Sequence, residues 1–496
     1  MQQVDDRDRH VAGGHPPRRH RPALPATGPR RSRRWPVAAL TVSVALLATS
    51  CGWFSYGFDA WNSRTSSVEN QISPANAATL TEAWRDDNLK GVTSTPAILG
   101  DTIIFGTWDG AVRAVDAETG ALKWNTVVTT GASIFGPMVD DSPVLFDNRV
   151  FIGDGSGRLH ALDFHTGALL WTKVLSPHPE ARIFSSPVVA DGRLIVGVGS
   201  YELVFERPAY TFRGSVVAID PDDGGELWRF YTSEDDATSG AGASVWSTAA
   251  IDHGRKLVYI GVGQAYEEPA GPYTDSLLAL NYETGQLAWH RQFTEDDVYR
   301  IFKEPINGPD ADVGAAPNLF TIGGRDVVGV GDKAGVYSVL DRATGETVWA
   351  RQLTQGSHLG GVMLTAAVHD GVIYVSSNIM EGSVVDFMDP ANRSRTFALD
   401  ATDGTSIWET DVADASFGAL TLANGVLYQP TIPGAYYLFD AADGTIIDTI
   451  TPFPGAQIGG GASLYDGKLY LPYGMWFFLP ATPQPGGVVA YELPAT

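Results

Sequence analysis

The stretch that decides the fold is Asp116-Ala117-Glu118-Thr119-Gly120-Ala121-Leu122-Lys123-Trp124, in which Gly follows Asp by four residues and Trp follows Gly by four. The same spacing returns along the chain, with successive copies between 40 residues (Asp400 to Asp440) and 61 residues (Asp220 to Asn281) apart. The other copies are Asp163, Gly167, Trp171; Asp220, Gly224, Trp228; Asn281, Gly285, Trp289; Asp341, Gly345, Trp349; Asp400, Gly404, Trp408; and Asp440, Gly444, with Asp448 where Trp is expected. A repeat of this length predicts a four-stranded blade with its loops.

Each residue type in the repeat has a physical role. Asp or Asn opens a tight turn by accepting backbone N–H groups, and Gly supplies the positive φ that the turn needs. Trp begins the next strand, where its ring can be buried between neighbouring blades. Short β-branched runs such as Thr102–Phe105 precede the turns. The pattern therefore predicts an all-β propeller, in which radial stacking covers the faces of each blade.

An eighth copy is divided between the two ends of the chain. Residues 488–492 are typical of the strand before a repeat turn, and residues 80–84 of the strand after one. Joining them completes one more blade with strands from both termini and closes the ring. We therefore predict an eight-bladed β-propeller with tryptophan-docking repeats; a seven-bladed ring is the alternative.

Charge is distributed unevenly along the 496 residues. The net charge of the chain is −23, yet residues 1–50 contain nine Arg and three Asp, so the remainder is strongly acidic. An acidic body repels a phosphate backbone, which argues against nucleic-acid binding.

The N-terminus has the features of an export signal. Residues 1–35 are rich in Arg and Pro, and an apolar run from Val37 to Thr49 follows, too short to span a bilayer comfortably. Cys51, the only cysteine, comes directly after this run and is predicted to be lipidated; a chance free cysteine is the alternative. We predict a signal peptide with a disordered basic region over 1–50, a lipid-anchored lead-in over 51–70 and the propeller over 71–496. The protein would be exported and held at the membrane by its lipid alone.

Several longer stretches resemble the quinoprotein alcohol dehydrogenases, which depend on pyrroloquinoline quinone (PQQ). The similarity covers essentially all of residues 53–494 and is greatest to the polyvinyl-alcohol dehydrogenase branch. It is carried by the repeat and by Trp53–Asp59, Asn70–Asn76, Phe212–Ala218, Gly242–Ser247, Gly308–Gly314 and Gly331–Gly335. The resemblance implies PQQ and Ca²⁺ as cofactors and a small-molecule or polymeric alcohol as substrate.

The same resemblance implies which residues contact the cofactor. Trp246 matches the Trp that stacks on the quinone, with an inter-blade core Trp as the alternative. Lys333 matches the basic residue beside the quinone oxygens, with a solvated strand-end Lys as the alternative. Ser186, next to Ser185, would donate a hydrogen bond or merely end a loop. Tyr210 stands where the family usually carries a cysteine pair and would cap the ring.

The implied metal site departs from the family pattern. Glu202 falls near the metal-binding Glu, with a surface carboxylate as the alternative. Gln264 replaces the usual Asn ligand with a longer amide side chain. A hard cation such as Ca²⁺ takes oxygen ligands of these types.

The position of the implied catalytic base also departs from the family pattern. Arg300 occupies the place of the Asp base of most alcohol dehydrogenases; Arg is no base at neutral pH and would repel a cation. Asp297 and Asp312 are the candidate bases, together with Asp310, and for each of them a turn residue is the alternative. His358 and His369 are isolated in sequence and are expected to be packed or solvated.

Two functions follow from these observations. The first is a PQQ-dependent alcohol dehydrogenase of the polyvinyl-alcohol type with a partly degenerate site. The alternative is a non-catalytic propeller lipoprotein that binds a ligand or serves as a scaffold for an unknown protein partner.

Overall fold

The computed structural model describes residues 52–131, 136–234, 239–301, 308–382, 388–475 and 485–495, which form 36 strands and two 3-10 helices. The helices are Ala77–Thr79 and Glu202–Val204. The first half of the strands are β1 Gly52–Trp53, β2 Thr65–Ser66, β3 Thr81–Leu89, β4 Ala97–Leu99, β5 Thr102–Gly106, β6 Ala111–Asp116, β7 Leu122–Val127, β8 Val144–Phe146, β9 Arg149–Gly153, β10 Arg158–Asp163, β11 Leu169–Val174, β12 Ala181–Arg182, β13 Val188–Ala190, β14 Arg193–Ser200, β15 Ser215–Ile219, β16 Glu226–Tyr231, β17 Ala250–Asp252 and β18 Leu257–Gly261. The second half are β19 Ser276–Asn281, β20 Leu287–Gln292, β21 Asn318–Ile322, β22 Arg325–Gly331, β23 Val336–Asp341, β24 Thr347–Gln352, β25 Ala367–His369, β26 Val372–Met380, β27 Asn392–Asp400, β28 Ser406–Val412, β29 Ala415–Ser416, β30 Thr421–Ala423, β31 Val426–Ile432, β32 Tyr436–Asp440, β33 Ile446–Ile450, β34 Ser463–Tyr465, β35 Lys468–Tyr473 and β36 Gly486–Glu492.

These strands form eight blades built on four antiparallel strands each, which are consecutive in sequence in every blade but the last. Blade 1 is β4–β7 with β1, blade 2 β8–β11, blade 3 β13–β16 with β12, blade 4 β17–β20, blade 5 β21–β24, blade 6 β25–β28, blade 7 β30–β33 with β2 and β29, and blade 8 β34–β36 with β3. The first strands of neighbouring blades contact one another, so they lie nearest the axis of the ring. The prediction of an all-β, eight-bladed propeller is confirmed.

The Asp–Gly–Trp repeat builds the turn between the last two strands of a blade. In blade 1, Asp116 accepts the backbone N–H of Thr119 at 3.0 Å, and Gly120 has φ +69°. Trp124 then packs its ring against Gly167 of blade 2 and donates its indole N–H to the carbonyl of Phe164 at 2.9 Å. The Gly is therefore needed twice, for its φ and for the face that it leaves open to the neighbouring Trp.

Seven tryptophans of the described residues dock in this way on the next blade. Their indole N–H groups donate to the carbonyls of Ala117 (from Trp84), Phe164 (Trp124), Pro221 (Trp171), Tyr282 (Trp228), Arg342 (Trp289), Ala401 (Trp349) and Ala441 (Trp408). Between blades 7 and 8, Asp448 stands in place of Trp, and the 3-10 helix Ala77–Thr79 contacts β33 instead. Ile72 is buried in the hydrophobic cluster that Ala77 forms with residues of blades 7 and 8.

The ring closes where the sequence predicted. β36 pairs antiparallel with both β35 and β3, and Trp84 of β3 lies opposite Ala490 of β36. Blade 8 thus takes one strand from the N-terminal part of the chain and three from the C-terminal part. Trp84 docks on Gly120 of blade 1 and completes the circuit.

The lead-in that precedes β3 belongs to the propeller. Its backbone carbonyls accept N–H groups from the first strands of five blades: Phe54 from Leu145, Ala60 from Ile251, Trp61 from Leu319, Ser63 from Val368 and Arg64 from Leu422. β1 adds to blade 1 beside β4. The segment therefore runs across the axis and covers one end of the ring.

No helix within the described residues is long and apolar enough to cross a membrane. The predicted signal peptide and Cys51 lie outside the described residues.

Candidate active site

A cavity of about 310 Å³ lies on the axis of the ring. Its lining comes largely from the segments that lead into the first strand of each blade, so all eight blades contribute. These contributions include Thr93, Asp141, Ser186, Trp246, Asp312, His358, Phe417 and Gly459 in blade order. Tyr56 of the lead-in also lines the cavity, and its hydroxyl shares a hydrogen bond of 2.6 Å with Thr365.

Trp246 is half-buried in the wall of this cavity, in the segment that leads into β17. Its six-membered ring lies against the backbone of Gly314, where a Cβ atom would overlap the ring. The indole nitrogen passes close to Gly263. The two glycines hold the indole in one orientation and leave it as a flat surface for a ligand in the cavity.

Lys333 lies in the turn that follows β22, at the cavity, and is held between two carboxylates. Its Nζ lies 2.8 Å from Oδ2 of Asp310 and 3.0 Å from Oδ2 of Asp312. Burial lowers the pKa of Lys333, but the two carboxylates outweigh burial and the pKa is raised. Burial raises the pKa of Asp312, and Lys333 opposes that rise. The lysine is therefore an ammonium ion at neutral pH.

Gln264 follows β18 and hydrogen-bonds to Asp312. Its backbone N–H donates to Oδ1 of Asp312 at 2.7 Å, and its side-chain amide meets the same carboxylate when the amide nitrogen faces it. Together with Lys333, these contacts engage both oxygens of Asp312.

An aromatic stack that the sequence did not reveal forms another part of the wall. The rings of Tyr299 and His358 lie 4.4 Å apart and nearly parallel, at 16°. His358 also lies 3.7 Å from Asp310. The expectation that His358 is packed is consistent with this contact, but its place at the cavity was not foreseen, because ring closure alone brings it there.

The segment before β8 contributes a second acidic group that the sequence analysis missed. Asp140 pairs with the buried Arg182 at 2.6 Å, and Arg182 stacks over Tyr201 at 4.6 Å. Asp141 accepts the backbone N–H of Gly153 with Oδ2, while its Oδ1 has no partner among the described residues. Burial raises the pKa of Asp141 well above 3.8.

Of the predicted site residues, six line the cavity: Trp246, Lys333, Ser186, Gln264, Asp310 and Asp312. Ser186 accepts the backbone N–H of Ser142 at 2.9 Å. Ser185 is turned to Gly197 and does not line it.

Three predicted residues are not brought to the cavity. Glu202 is buried behind it and accepts the backbone N–H groups of Thr211 and Phe212. Asp297 accepts the backbone N–H groups of Asp310 and Ala311, so it shapes the loop that carries Asp312.

Tyr210, the third, donates its hydroxyl to the carbonyl of Phe205 at 2.7 Å. The guanidinium of Arg300 lies over its ring at 4.8 Å, and neither residue lines the cavity.

The residues present suit a flat quinone and do not suit a calcium ion. The indole of Trp246 and the ammonium of Lys333 supply the surface and the cation that an aromatic polyanion needs. Calcium takes six to eight oxygen ligands, yet the described residues contain no group of three or more His, Cys, Asp or Glu side chains placed to hold a metal.

Several known proteins are similar to this chain in sequence or in fold. The polyvinylalcohol dehydrogenase of Sphingopyxis sp. (strain 113P3) is 29% identical over 426 residues, which are 75% of this chain and 65% of the relative. The polyvinylalcohol dehydrogenase of Pseudomonas sp. is 26% identical over 441 residues, or 81% and 67%. The chain thus spans about two thirds of the length of these relatives. The solved quinohemoprotein alcohol dehydrogenase ADHIIG of Pseudomonas putida HK5 superposes with a TM-score of 0.76, at 20% identity, over 90% of this chain and 81% of that structure.

Two families match parts of the chain. Residues 332–448 match the family described as outer membrane protein assembly factor BamB. Residues 53–356, more than half of the chain, match the beta-propeller domain of glucose, ethanol and alcohol dehydrogenases. The chain therefore belongs to the glucose/ethanol/alcohol dehydrogenase β-propeller family.

Proposed function

We propose that the protein is a PQQ-dependent dehydrogenase of alcohols, of the polyvinyl-alcohol dehydrogenase type. The family and the names of its relatives support this activity. One observation carries it: Trp246, Lys333 and Asp312 line a single axial cavity, with the indole held flat on Gly314. A flat surface, a cation and a carboxylate are the three groups that oxidation of an alcohol beside a bound quinone requires.

When PQQ is bound it supplies the acceptor for the hydride that leaves the alcohol carbon. The hydroxyl proton must leave as well, and Asp312 is placed to take it as a general base. Its Oδ1 is fixed by the backbone N–H of Gln264 at 2.7 Å, so the carboxylate presents itself in one orientation. With a bound quinone as the two-electron acceptor, Asp312 would hold the proton that a secondary alcohol releases as it becomes a ketone.

Lys333 has two roles in this arrangement. Its ammonium fixes Oδ2 of Asp312 at 3.0 Å, and the residue lines the cavity. Buried cations of this kind stabilise negative charge that develops on a neighbouring oxygen. The stacked rings of Tyr299 and His358 form an apolar part of the same wall.

The test is retention of the cofactor. We expect the purified protein to retain PQQ after desalting and to reduce an artificial dye with polyvinyl alcohol or a short secondary alcohol. Trp246→Ala should weaken PQQ binding at least about tenfold, because it removes the stacking surface.

The matched control is Trp61→Ala, which removes an indole that is 44% exposed and lies outside the cavity. It should leave binding unchanged. Absence of quinone absorbance after desalting of the unaltered protein, verified as folded, would contradict the proposal.

The alternative is a non-catalytic propeller that binds a ligand or holds a protein partner. The match of residues 332–448 to the BamB family supports it, as do the positions of Glu202 and Arg300, whose side chains are committed away from the cavity. Under this alternative no alcohol reduces the dye at any PQQ concentration, and Asp312→Asn leaves the function of the protein intact.

We also propose that the protein is exported and anchored by a lipid on Cys51. The support is the apolar run from Val37 to Thr49 directly before the only cysteine of the chain. We expect the mature protein to enter the detergent phase on phase partitioning, and Cys51→Ala to move it to the aqueous phase. An unmodified Cys51 in mass spectrometry of the mature chain would contradict the lipid anchor.

A further inference from the structure

Glu202 is the carboxylate that the sequence resemblance matches to a calcium ligand. Both of its oxygens contact residues outside the cavity lining. Oε2 of Glu202 accepts the backbone N–H of Phe212 at 2.8 Å, and Oε1 lies 3.3 Å from the imidazole of His178. Both oxygens also receive the N–H of Thr211 at 3.1 Å. To bind a metal in the cavity, Glu202 would have to give up these contacts.

The carboxylates of Asp310 and Asp312, which also line the cavity, share an internal cation. Lys333 binds Oδ2 of both Asp310 and Asp312, and Gln264 binds Oδ1 of Asp312. A divalent ion at this cluster would have to displace the ammonium or lie beside it, and like charges at such a distance repel strongly in a buried site.

The position of Lys333 is fixed by its backbone as well as by its side chain. Its N–H donates to the carbonyl of Asp312 at 3.0 Å, and the turn that follows is closed by Gly335 N–H on the carbonyl of Asp332 at 3.1 Å. Lys333 is only 7% exposed, although it lines the cavity. The charge is therefore a permanent part of the fold that is independent of the metal content of the medium.

We propose that this chain binds its quinone without calcium, and that the ammonium of Lys333 is the resident cation that faces the quinone oxygens. The inference rests on the proposed function, since it concerns how the same cavity holds PQQ. It assigns to Lys333 the charge that a divalent ion would otherwise supply.

The experiment compares PQQ binding by metal-free protein in EDTA and in millimolar CaCl₂, with quenching of tryptophan fluorescence as the readout. We expect the two dissociation constants to agree within about threefold. Lys333→Met should weaken binding at least about tenfold in both buffers, and Lys333→Arg should restore most of it because it restores the cation. Lys123→Met, which removes a lysine of blade 1 paired with Asp101, should have no effect.

Calcium alone is the second probe. Equilibrium dialysis of the quinone-free protein against ⁴⁵Ca²⁺ should detect no site of micromolar affinity. Such a site, or PQQ binding that appears only with calcium, would overturn the inference and leave the proposed function standing. Failure to bind PQQ in either buffer would instead contradict the proposed function, and the inference with it. If Lys333→Met does not fold, the comparison of EDTA with CaCl₂ on the unaltered protein still decides.

Discussion

Asp312 is the carboxylate on which the proposed chemistry depends. Asp312→Asn keeps the shape of the side chain but removes its capacity to take a proton. We expect PQQ binding to stay within about threefold, while dye reduction with an alcohol falls by about 10² to 10⁴. Binding is followed by fluorescence quenching and turnover by the dye.

Asp297→Asn is the informative comparison, because Asp297 was an equal candidate by sequence. Asp297 is buried and binds two backbone N–H groups of the loop that carries Asp312. Its amide variant should lower thermal stability and affect turnover less than Asp312→Asn. The reverse order of effects on turnover would assign the base to Asp297.

Asp275 is buried beside the same cluster, and neither of its carboxylate oxygens has a partner among the described residues. Burial, with the charges of Asp297 and Asp312, raises its pKa well above 3.8. The folded protein therefore binds a proton that the unfolded chain releases near pH 4. Its contribution to stability is complete below pH 4 and is lost progressively as the pH rises toward the folded pKa.

Asp275→Asn should remove this dependence. Asn tolerates the φ of +48° at this position and carries no charge. We expect the variant to gain stability over the unaltered protein by up to about 1.4 kcal/mol per pH unit above pH 4, and to gain nothing below it. Urea unfolding between pH 4 and 8 measures this. Asp370→Asn, at φ +47° in an exposed turn, is the control and should show no such trend.

The sequence predicted which loops form the site better than it predicted where the side chains on those loops lie. Trp246 and Lys333 were identified from motifs whose backbone the fold fixes, and both line the cavity. The direction of Glu202 could not be predicted, because it depends on N–H groups offered by residues 211 and 212. Asp141 and His358 lie in segments without a motif, and only closure of the ring brings them to the axis.

At the scale of the element, the docking of Trp on Gly is the unit that joins two blades. Gly285 has φ +73°, and a Cβ atom there would lie 2.7 Å from the ring of Trp228. Gly192 has φ +72° with nothing within 4 Å. The two positions share the same backbone conformation and differ in the neighbour that a side chain would meet.

Gly285→Ala should therefore cost more than Gly192→Ala. We expect about 1–2 kcal/mol from the backbone in each variant, and a further 1–3 kcal/mol in Gly285→Ala from the displaced indole. Urea unfolding followed by tryptophan fluorescence measures both. Equal losses would mean that the docking contact contributes little and that the glycine is needed only for its φ.

The degenerate seventh copy has a physical explanation at the same scale. A docking Trp needs the glycine turn of the next blade, and blade 8 has no such turn because the chain is divided there. Asp448 therefore has no groove to fill, and residues 72–80 cover the interface instead. The sequence showed that the Trp is missing. The segment that covers the interface in its place, residues 72–80, has no periodic pattern by which it could be recognised.

At the scale of the whole molecule, the lead-in before β3 hydrogen-bonds to the first strands of five blades. The sequence predicted closure by β3 and β36 because these strands are periodic. The lead-in is irregular and donates or accepts hydrogen bonds one at a time, so its pairing with successive blades carries no local signal. Its residues 52–66 tie together the first strands of blades on opposite sides of the axis.

Arg64 makes several of the contacts between the lead-in and the ring, so a substitution there tests whether the lead-in stabilises the ring. Its guanidinium is fully buried, donates to the carbonyl of Leu420 at 2.8 Å and to Thr421 Oγ1 at 2.6 Å, and lies 5.1 Å from the ring centre of Trp53. Arg64→Met fills a similar volume but leaves these acceptors without a donor. We expect a loss of about 3–5 kcal/mol in the free energy of unfolding.

The loss should appear as one cooperative transition, because the lead-in contacts nearly every blade and no blade can separate while it remains in place. Circular dichroism and tryptophan fluorescence should therefore give coincident urea curves for Arg64→Met, both shifted to lower denaturant. Arg325→Met, which removes an arginine that is 46% exposed and paired with Asp341, should change stability by less than about 1 kcal/mol. Separate transitions in the two signals would show that the blades unfold independently and that the lead-in does not hold the ring together.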